Sequence, residues 1–334
     1  METVSTQLID DLGRRLNYLR ISITDRCNFN CIYCMPKERL EKLQHEDILT
    51  YEEIFRLVSI SASLGVDKIR LTGGEPMVRN GFCDFLSSLT SISGLKDISL
   101  TTNGFFLKNK IQKIKDAGIK RINISLDTLN RKKFKTITGH DSFDKVWEGI
   151  ELASRLGFAP IKINMVVMKG MNDDEVADMA GLSLRFPFHI RFIEYMPIGL
   201  TNHAVPFGHI SNADVKKSLE KLGNLVQVPR AHMDGPTVRY KFEGAPGEIG
   251  FISPLTNHFC HTCNRLRLTA NGKLRPCLLS DKEMDIKGPM REGASDEELI
   301  RIFLETAHKK PRGHEVSSEE TVWSYSGEMS AIGG

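Results

Sequence analysis

The sequence predicts an α/β protein, an open or partial β/α barrel of about six units with a smaller α+β region behind it. Three features carry that expectation: β-branched runs that alternate with helical patterns as far as Glu194, cap residues at helix starts between them, and a change of texture beyond Glu194. Tyr18–Thr24, Lys68–Thr72, Ile98–Thr102, Arg121–Leu126, Ile161–Val167 and His189–Glu194 read as strands. Thr50 with Glu53 fits a capping box, and Asn172 with Glu175 a variant with Asn at the cap. Strands separated by helices pair in parallel through right-handed crossovers. Tyr195–Ile210, rich in Pro, Gly and His, reads as a connector, and Ser211–Leu222 as a helix capped by Ser211 and Asp214. A further capped helix starts at Ser295. The expected division is a barrel over 1–210 and a C-terminal domain over 211–334.

The strands alternate, whereas those of a filled barrel run apolar throughout. Leu19, Ile21 and Ile23 share one face and Arg20, Ser22 and Thr24 the other. Ile69 and Leu71 oppose Lys68, Arg70 and Thr72; Ile98 and Leu100 oppose Ser99 and Thr101. Ile122, Ile124 and Leu126 oppose Asn123, Ser125 and Asp127, and Ile161 and Ile163 oppose Lys162 and Asn164. With helices over the apolar faces, the polar faces line a wide, cation-rich lumen. An antiparallel sheet with one wet face has the same alternation; the helices between the strands speak against it.

A hydrophobic fraction of 40% and a charged fraction of 26% are ordinary for a soluble globular chain. A net charge of +3 does not argue for nucleic acid by itself, but it permits an anionic small molecule where the positive charges gather. No stretch is long and apolar enough to span a bilayer, and Met1–Asp11 has no signal-peptide core, so a cytoplasmic protein is expected. In that reducing setting the 7 cysteines read as metal ligands, reactive thiols or core residues.

Cys27, Cys31 and Cys34 form C-x-x-x-C-x-x-C directly after the first strand, where barrel active sites sit. Three thiolates in so short a loop suit an iron–sulfur cubane with one iron left open. Structural zinc with a fourth ligand such as His45 is the alternative, although such sites usually pair two knuckles. Gly73-Gly74-Glu75-Pro76 taken alone reads as a tight turn. Cys260, Cys263 and Cys277 make a second triad, whose spacing fits Zn(Cys)₃His, with His258 or His261, as well as it fits a cluster.

With Tyr33 before the last cysteine, the first loop reads C-x-x-x-C-x-Φ-C, Φ being aromatic, and resembles the signature of the radical S-adenosylmethionine (SAM) superfamily. Thr24-Asp-Arg-Cys27-Asn-Phe, Cys260-His-Thr-Cys263-Asn-Arg265-Leu-Arg267-Leu-Thr, Gly272-Lys-Leu-Arg-Pro-Cys277-Leu and the final Gly333-Gly334 narrow the resemblance to the GTP 3′,8-cyclase family, from about Leu19 to the end. The resemblance implies a radical SAM barrel and two [4Fe–4S] clusters. One sits on Cys27, Cys31 and Cys34, its open iron binding SAM; the other sits on Cys260, Cys263 and Cys277, its open iron engaging the guanine of GTP. It implies SAM contacts at Tyr33, Gly74, Ser125 and Met196, and GTP contacts at Arg20, Arg70, Thr101, Lys162, Arg191, Arg265 and Arg267. Guanidinium suits phosphate because it offers planar, bidentate donors.

The implied reaction cleaves SAM with one electron, removes the C3′ hydrogen of GTP and closes C3′ onto C8. It yields (8S)-3′,8-cyclo-7,8-dihydroguanosine 5′-triphosphate, the first intermediate of molybdenum cofactor biosynthesis, and no side chain need act as acid or base. An electron donor and a downstream cyclic pyranopterin monophosphate synthase are implied partners, with neither membrane nor nucleic acid. Family members are often homodimers, but no segment here marks an interface. Gly333-Gly334, a frayed tail when read locally, is implied to reach the active site. Cys83 matches no ligand position and is expected to be a buried, inert thiol. Two rivals are a radical SAM enzyme acting on a peptide or RNA with an auxiliary cluster, and a zinc-stabilised nucleotide-binding protein without chemistry.

Overall fold

The computed structural model describes residues 7–34, 41–196, 207–229, 235–314 and 329–332. The six expected strands form as β1 (Tyr18–Ser22), β2 (Lys68–Thr72), β3 (Asp97–Thr102), β4 (Ile122–Ser125), β5 (Ile161–Val167) and β6 (Phe188–Glu194). They lie side by side in chain order, all parallel. Their apolar residues, such as Leu19, Ile69, Leu100, Ile124 and Ile163, are fully buried. They are covered by α1 (Tyr51–Ser63), α2 (Phe82–Leu89), α3 (Leu107–Asp116), α4 (Arg131–Thr138), α5 (Phe143–Arg155) and α6 (Val176–Arg185).

The helices start where local chemistry directs. Thr50 Oγ1 accepts from the Glu53 N–H at 3.1 Å, and the Glu53 carboxylate accepts from the Thr50 N–H at 2.7 Å. Such a cap stabilises a helix by about 0.5–2 kcal/mol. Within α1, Ile54, Leu57 and Val58 then fall on one buried face at helical spacing.

Asn172 and Glu175 correct the sequence expectation: they do not form a cap. Asn172 Nδ2 donates to the carbonyls of Asp127 and Val166 at 2.8 and 2.9 Å, and its Oδ1 accepts from the Met168 N–H at 2.8 Å. Glu175 turns inward to accept from Thr128 Oγ1 and the Leu129 N–H. Bonds back to the β5 loop and across to Asp127, Thr128 and Leu129 draw both side chains away from the helix and tie the β4 and β5 loops together.

Beyond β6, α7 (Asn212–Leu219) is capped by Ser211 as expected, but it gives way to a 3₁₀ turn over Glu220–Leu222. The strands that follow join the same sheet at both edges. β7 (Leu225–Gln227), β8 (Val238–Phe242) and β9 (Glu248–Ile252) extend it past β6, with β9 parallel to β6. β10 (Arg265–Leu268) lies parallel to β1 at the other edge, followed outward by β11 (Lys273–Arg275) and β12 (Met284–Asp285). α8 (Lys287–Arg291) precedes α9 (Asp296–His308), which carries a full Ser295–Glu298 capping box, and α10 spans Met329–Ile332. No helix of the described residues is long and apolar enough to cross a membrane.

Candidate active site

Loops at the C-terminal ends of the parallel strands, together with the polar strand faces, enclose a cavity of about 340 Å³. Both cysteine triads line it. All 7 cysteines in the sequence are unpaired, none forming a disulfide.

The first triad sits in the loop after β1 and is held from three sides. The Asn30 and Ile32 N–H groups donate to the Thr138 and Ile137 carbonyls at 2.9 Å, so the end of α4 pins the loop. Tyr33 donates its hydroxyl to Asp127 Oδ2 at 2.7 Å, and Asp127 Oδ1 accepts from the Val166 N–H at 2.8 Å. From the third side, Gly74 and Glu75 donate their N–H groups to the Thr24 and Arg26 carbonyls at 2.8 and 2.9 Å. A Cβ on Gly74 would lie 2.2 Å from the Arg26 carbonyl oxygen and 2.9 Å from the Cys27 nitrogen, so this approach requires glycine. Gly74→Ala must push the cysteine loop away. It is expected to weaken SAM binding at least tenfold, about 1.4 kcal/mol, and to lower first-site iron. Iron analysis with a SAM titration checks this; wild-type values for both would show that the loop yields freely.

Glu75 is buried and accepts from the Met77 N–H, Thr102 Oγ1 and the Asn103 N–H at 2.7–3.1 Å. Burial outweighs these donors and lifts its carboxyl to about 7. The clamp turns Asn103 so that its Nδ2 lies 3.7 Å from Cys27 Sγ and 2.9 Å from Asn28 Oδ1. The Cys31 thiol is pushed well above its ordinary range by burial first, then by Cys34 and Asp127. Such a thiol gives up its proton only against a metal or cluster, and three cysteines of one loop lining the same cavity are what fit the donor set to that role.

Cys260 and Cys263 share a one-turn 3₁₀ segment, with the Cys263 N–H donating to the Cys260 carbonyl at 3.1 Å, and Cys277 follows β11. Burial opposes ionisation of Cys263, but Arg265 and Lys310 overcome it and bring the thiol down to about 6.

Strand register gathers the cations. Arg265, Tyr18 and Lys68 form one row across β10, β1 and β2, and Arg267, Arg20 and Arg70 the next. Thr101, Asn123 and Lys162 align across β3 to β5, and Ser125, Asn164 and Arg191 across β4 to β6. Burial, then Arg191, Arg121, Arg70 and Lys68, depress the Lys162 ammonium to about 5. Burial foremost brings Lys68 to about 8. Thr101 Oγ1 and Asn164 Oδ1 are buried with no hydrogen-bond partner among the described residues. Crowded cations and orphan polar atoms together describe a site for a polyanion with further polar groups.

Every residue assigned to SAM (Tyr33, Gly74, Ser125, Met196) or GTP (Arg20, Arg70, Thr101, Lys162, Arg191, Arg265, Arg267) lines this cavity. Sequence reasoning did not assign Tyr18, Lys68, Asp127, Lys310 or His314, which line it too. The strand alternation had placed Lys68 and Asp127 on the lumen face without giving either a role; Lys310 gave no signal. His45 is exposed and is not part of the lining. His258 bonds His314 at 2.7 Å, and the ligand atoms of His258, Cys260 and His314 lie within 4.8 Å of one another; His261 is exposed. Cys83 corrects another expectation: it is only partly buried, because α2 turns it toward the core's edge. Gly333 and Gly334 lie outside the described residues, but Met329 just before them lines the cavity and Ile332 packs against Leu255 and Leu279.

Comparison with known proteins agrees with this geometry. Residues 21–182 match the Radical SAM superfamily and residues 188–316 match Molybdenum Cofactor Synthesis C. A GTP 3′,8-cyclase of Thermodesulfovibrio yellowstonii is 49% identical over 91% of this chain and 94% of its own. One of Moorella thermoacetica is 46% identical over 97% of this chain and 99% of its own. Streptococcus suis SuiB bound to precursor peptide SuiA shares the fold, with a TM-score of 0.58 at 14% identity over 98% of this chain and 76% of that one.

Proposed function

Since the chain belongs to the GTP 3′,8-cyclase family of the radical SAM superfamily, we propose that its cavity holds SAM against the first triad and GTP between the two triads. The chain is a GTP 3′,8-cyclase, which takes the C3′ hydrogen from GTP and joins C3′ to C8, giving (8S)-3′,8-cyclo-7,8-dihydroguanosine 5′-triphosphate at the first step of molybdenum cofactor biosynthesis. The observation that carries this reading is one cavity lined at once by both cysteine triads and by cations from β1, β2, β5, β6 and β10.

When bound, two [4Fe–4S] clusters and SAM supply one-electron cleavage and a carbon radical. The side chains supply placement. Cys27, Cys31 and Cys34 hold one cluster; Cys260, Cys263 and Cys277 hold the other. Gly74 and Ser125 border the SAM position, with Tyr33 fixed by Asp127 and Met196 closing one side. Arg20, Arg70, Lys162, Arg191, Arg265 and Arg267 anchor the triphosphate and nucleoside, aided by the orphan Thr101 hydroxyl. Those that hold the triphosphate act away from C3′ and C8, so their loss weakens binding more than it slows the bond-making step. The division of labour falls near residue 210: 1–210 for SAM, 211–334 for the second cluster and the guanine. The enzyme draws electrons from a cytoplasmic donor and passes its product to a cyclic pyranopterin monophosphate synthase; a homodimer is consistent with family habit.

Formation of 5′-deoxyadenosine by anaerobically reconstituted, reduced protein tests the reading. GTP, but not ATP, is expected to stimulate it at least tenfold. Equal formation with ATP would remove GTP as the substrate, and none from protein holding full iron and sulfide would remove the radical chemistry.

A further inference from the structure

We propose that Lys310 is the positioning residue of the second thiolate site: it fastens the segment carrying Cys263 to the segment carrying Cys277 and places a buried positive charge beside them. This rests on Cys260, Cys263 and Cys277 being cluster ligands.

The second triad has a problem the first does not. Cys27, Cys31 and Cys34 share one loop, whereas β10, a turn and β11 separate Cys263 from Cys277. The β10–β11 ladder sets the two segments opposite each other, but its pairing ends at Arg267 and Arg275, so the stretches that run on to Cys263 and Cys277 need a further tie. Lys310, two residues past the end of α9, is only 7% exposed. Its Nζ donates to the Arg265 carbonyl at 2.7 Å and to the Pro276 carbonyl at 2.7 Å. Arg265 lies two residues after Cys263, and Pro276 immediately precedes Cys277. One ammonium thus spans both segments.

The neighbouring residues extend the arrangement to the third cysteine. Arg14, buried against Asp10, donates to the Cys260 carbonyl at 2.6 Å and to the Pro311 carbonyl at 2.7 Å. All three cysteine segments are therefore tied, directly or through Arg14, to the short stretch that follows α9. Charge completes the case. The hydrogen bonds of this buried ammonium go to neutral carbonyls, so its counter-charge has to come from the sulfurs of Cys263 and Cys277 beside it. Three thiolates on a [4Fe–4S]²⁺ core leave a net negative charge, and Lys310 lines the cavity where they meet. A positive charge there also favours the reduced cluster.

Lys310→Met and Lys310→Arg decide the matter in full-length protein, with Cys260→Ala as reference. The iron at each site is read by Mössbauer spectroscopy, with the first triad intact and with its three cysteines replaced by alanine. Lys310→Met is expected to lose more than half of the roughly four irons of the second site and to keep the first site and its SAM binding. Whatever second cluster assembles should have a lower midpoint potential. Lys310→Arg, which keeps charge and donors, should recover both iron and potential. Full second-site iron at an unchanged potential in Lys310→Met overturns the proposal. Equal loss from both sites overturns it too, because that marks a general folding role. Full iron in Cys260→Ala would instead sink the cluster assignment on which the proposal rests.

Discussion

Cys31→Ala protein is expected to form no 5′-deoxyadenosine above the non-enzymatic background, while keeping the iron of its second site. The size of the effect follows from where the chemistry resides. Enzymes accelerate reactions by about 10⁶-fold or more, and here the accelerating groups are the cluster and SAM. Removing a cluster ligand therefore removes the chemistry and not just a part of it. Cys31 is the severest choice. Its carbonyl accepts from the Cys34 N–H at 3.0 Å in the turn that presents both sulfurs, and its half-buried thiol faces the cavity beside Cys34, Asp127 and Cys27. A water that entered in place of the missing sulfur would bring no thiolate charge to the cluster. The second site should survive, because its scaffold is a separate set of contacts through Lys310 and Arg14. Chromatography of the nucleoside product, with iron counted in the same samples, checks both halves. Wild-type deoxyadenosine formation would mean that SAM is cleaved at Cys260, Cys263 and Cys277 instead.

The lumen was legible in the sequence because a two-residue period is a local signal. Arg20, Arg70 and Lys162 each sit between apolar residues that must turn away from water, so their own direction is settled by their neighbours. The pairing of β10 with β1 was not legible. β10 has four residues, and nothing local in Arg265–Leu268 says that its partner is the first strand. Yet that pairing sets Arg267 beside Arg20 and brings the second triad over the same cavity. Asn172 failed for the opposite reason: its local signal was clear, but the buried carbonyl of Asp127 and the backbone of the preceding loop took its side chain instead. Lys310 stands in the basic run from His308 to Arg312, which reads as a solvated surface, and only the fold turns it inward. The cysteine ligands were visible by spacing, but the choice between cluster and zinc at the second triad came from family resemblance.

Binding of GTP is expected to draw a proton onto Lys162, and the affinity should therefore fall as pH rises. In the free protein, burial first and then Arg191, Arg121, Arg70 and Lys68 hold this ammonium at about 5, so at pH 7 it is neutral. A triphosphate among the same cations reverses the balance, since a nearby opposite charge favours the charged form. The complex then binds more protons than the free protein at every pH between about 5 and the raised value in the complex. Affinity is greatest near and below the lower limit and declines by up to about tenfold per pH unit through that window. Protonating Lys162 at pH 7 costs about 2.7 kcal/mol, which limits how much the residue contributes there. Lys162→Met should accordingly weaken GTP binding by about 100-fold near pH 6, within the 2–5 kcal/mol typical of a truncated buried charge contact, and by progressively less above pH 7. The terminal phosphate of GTP works the other way, shedding its own proton on binding, so the quantity to read is the difference between wild type and variant. Titration calorimetry in two buffers of unlike ionisation enthalpy, from pH 6 to 9, gives the protons taken up per GTP. Close to one more proton in wild type than in Lys162→Met assigns the uptake to this residue. Equal uptake in both would move it to Lys68, whose ammonium, lowered to about 8 chiefly by burial, lines the same cavity.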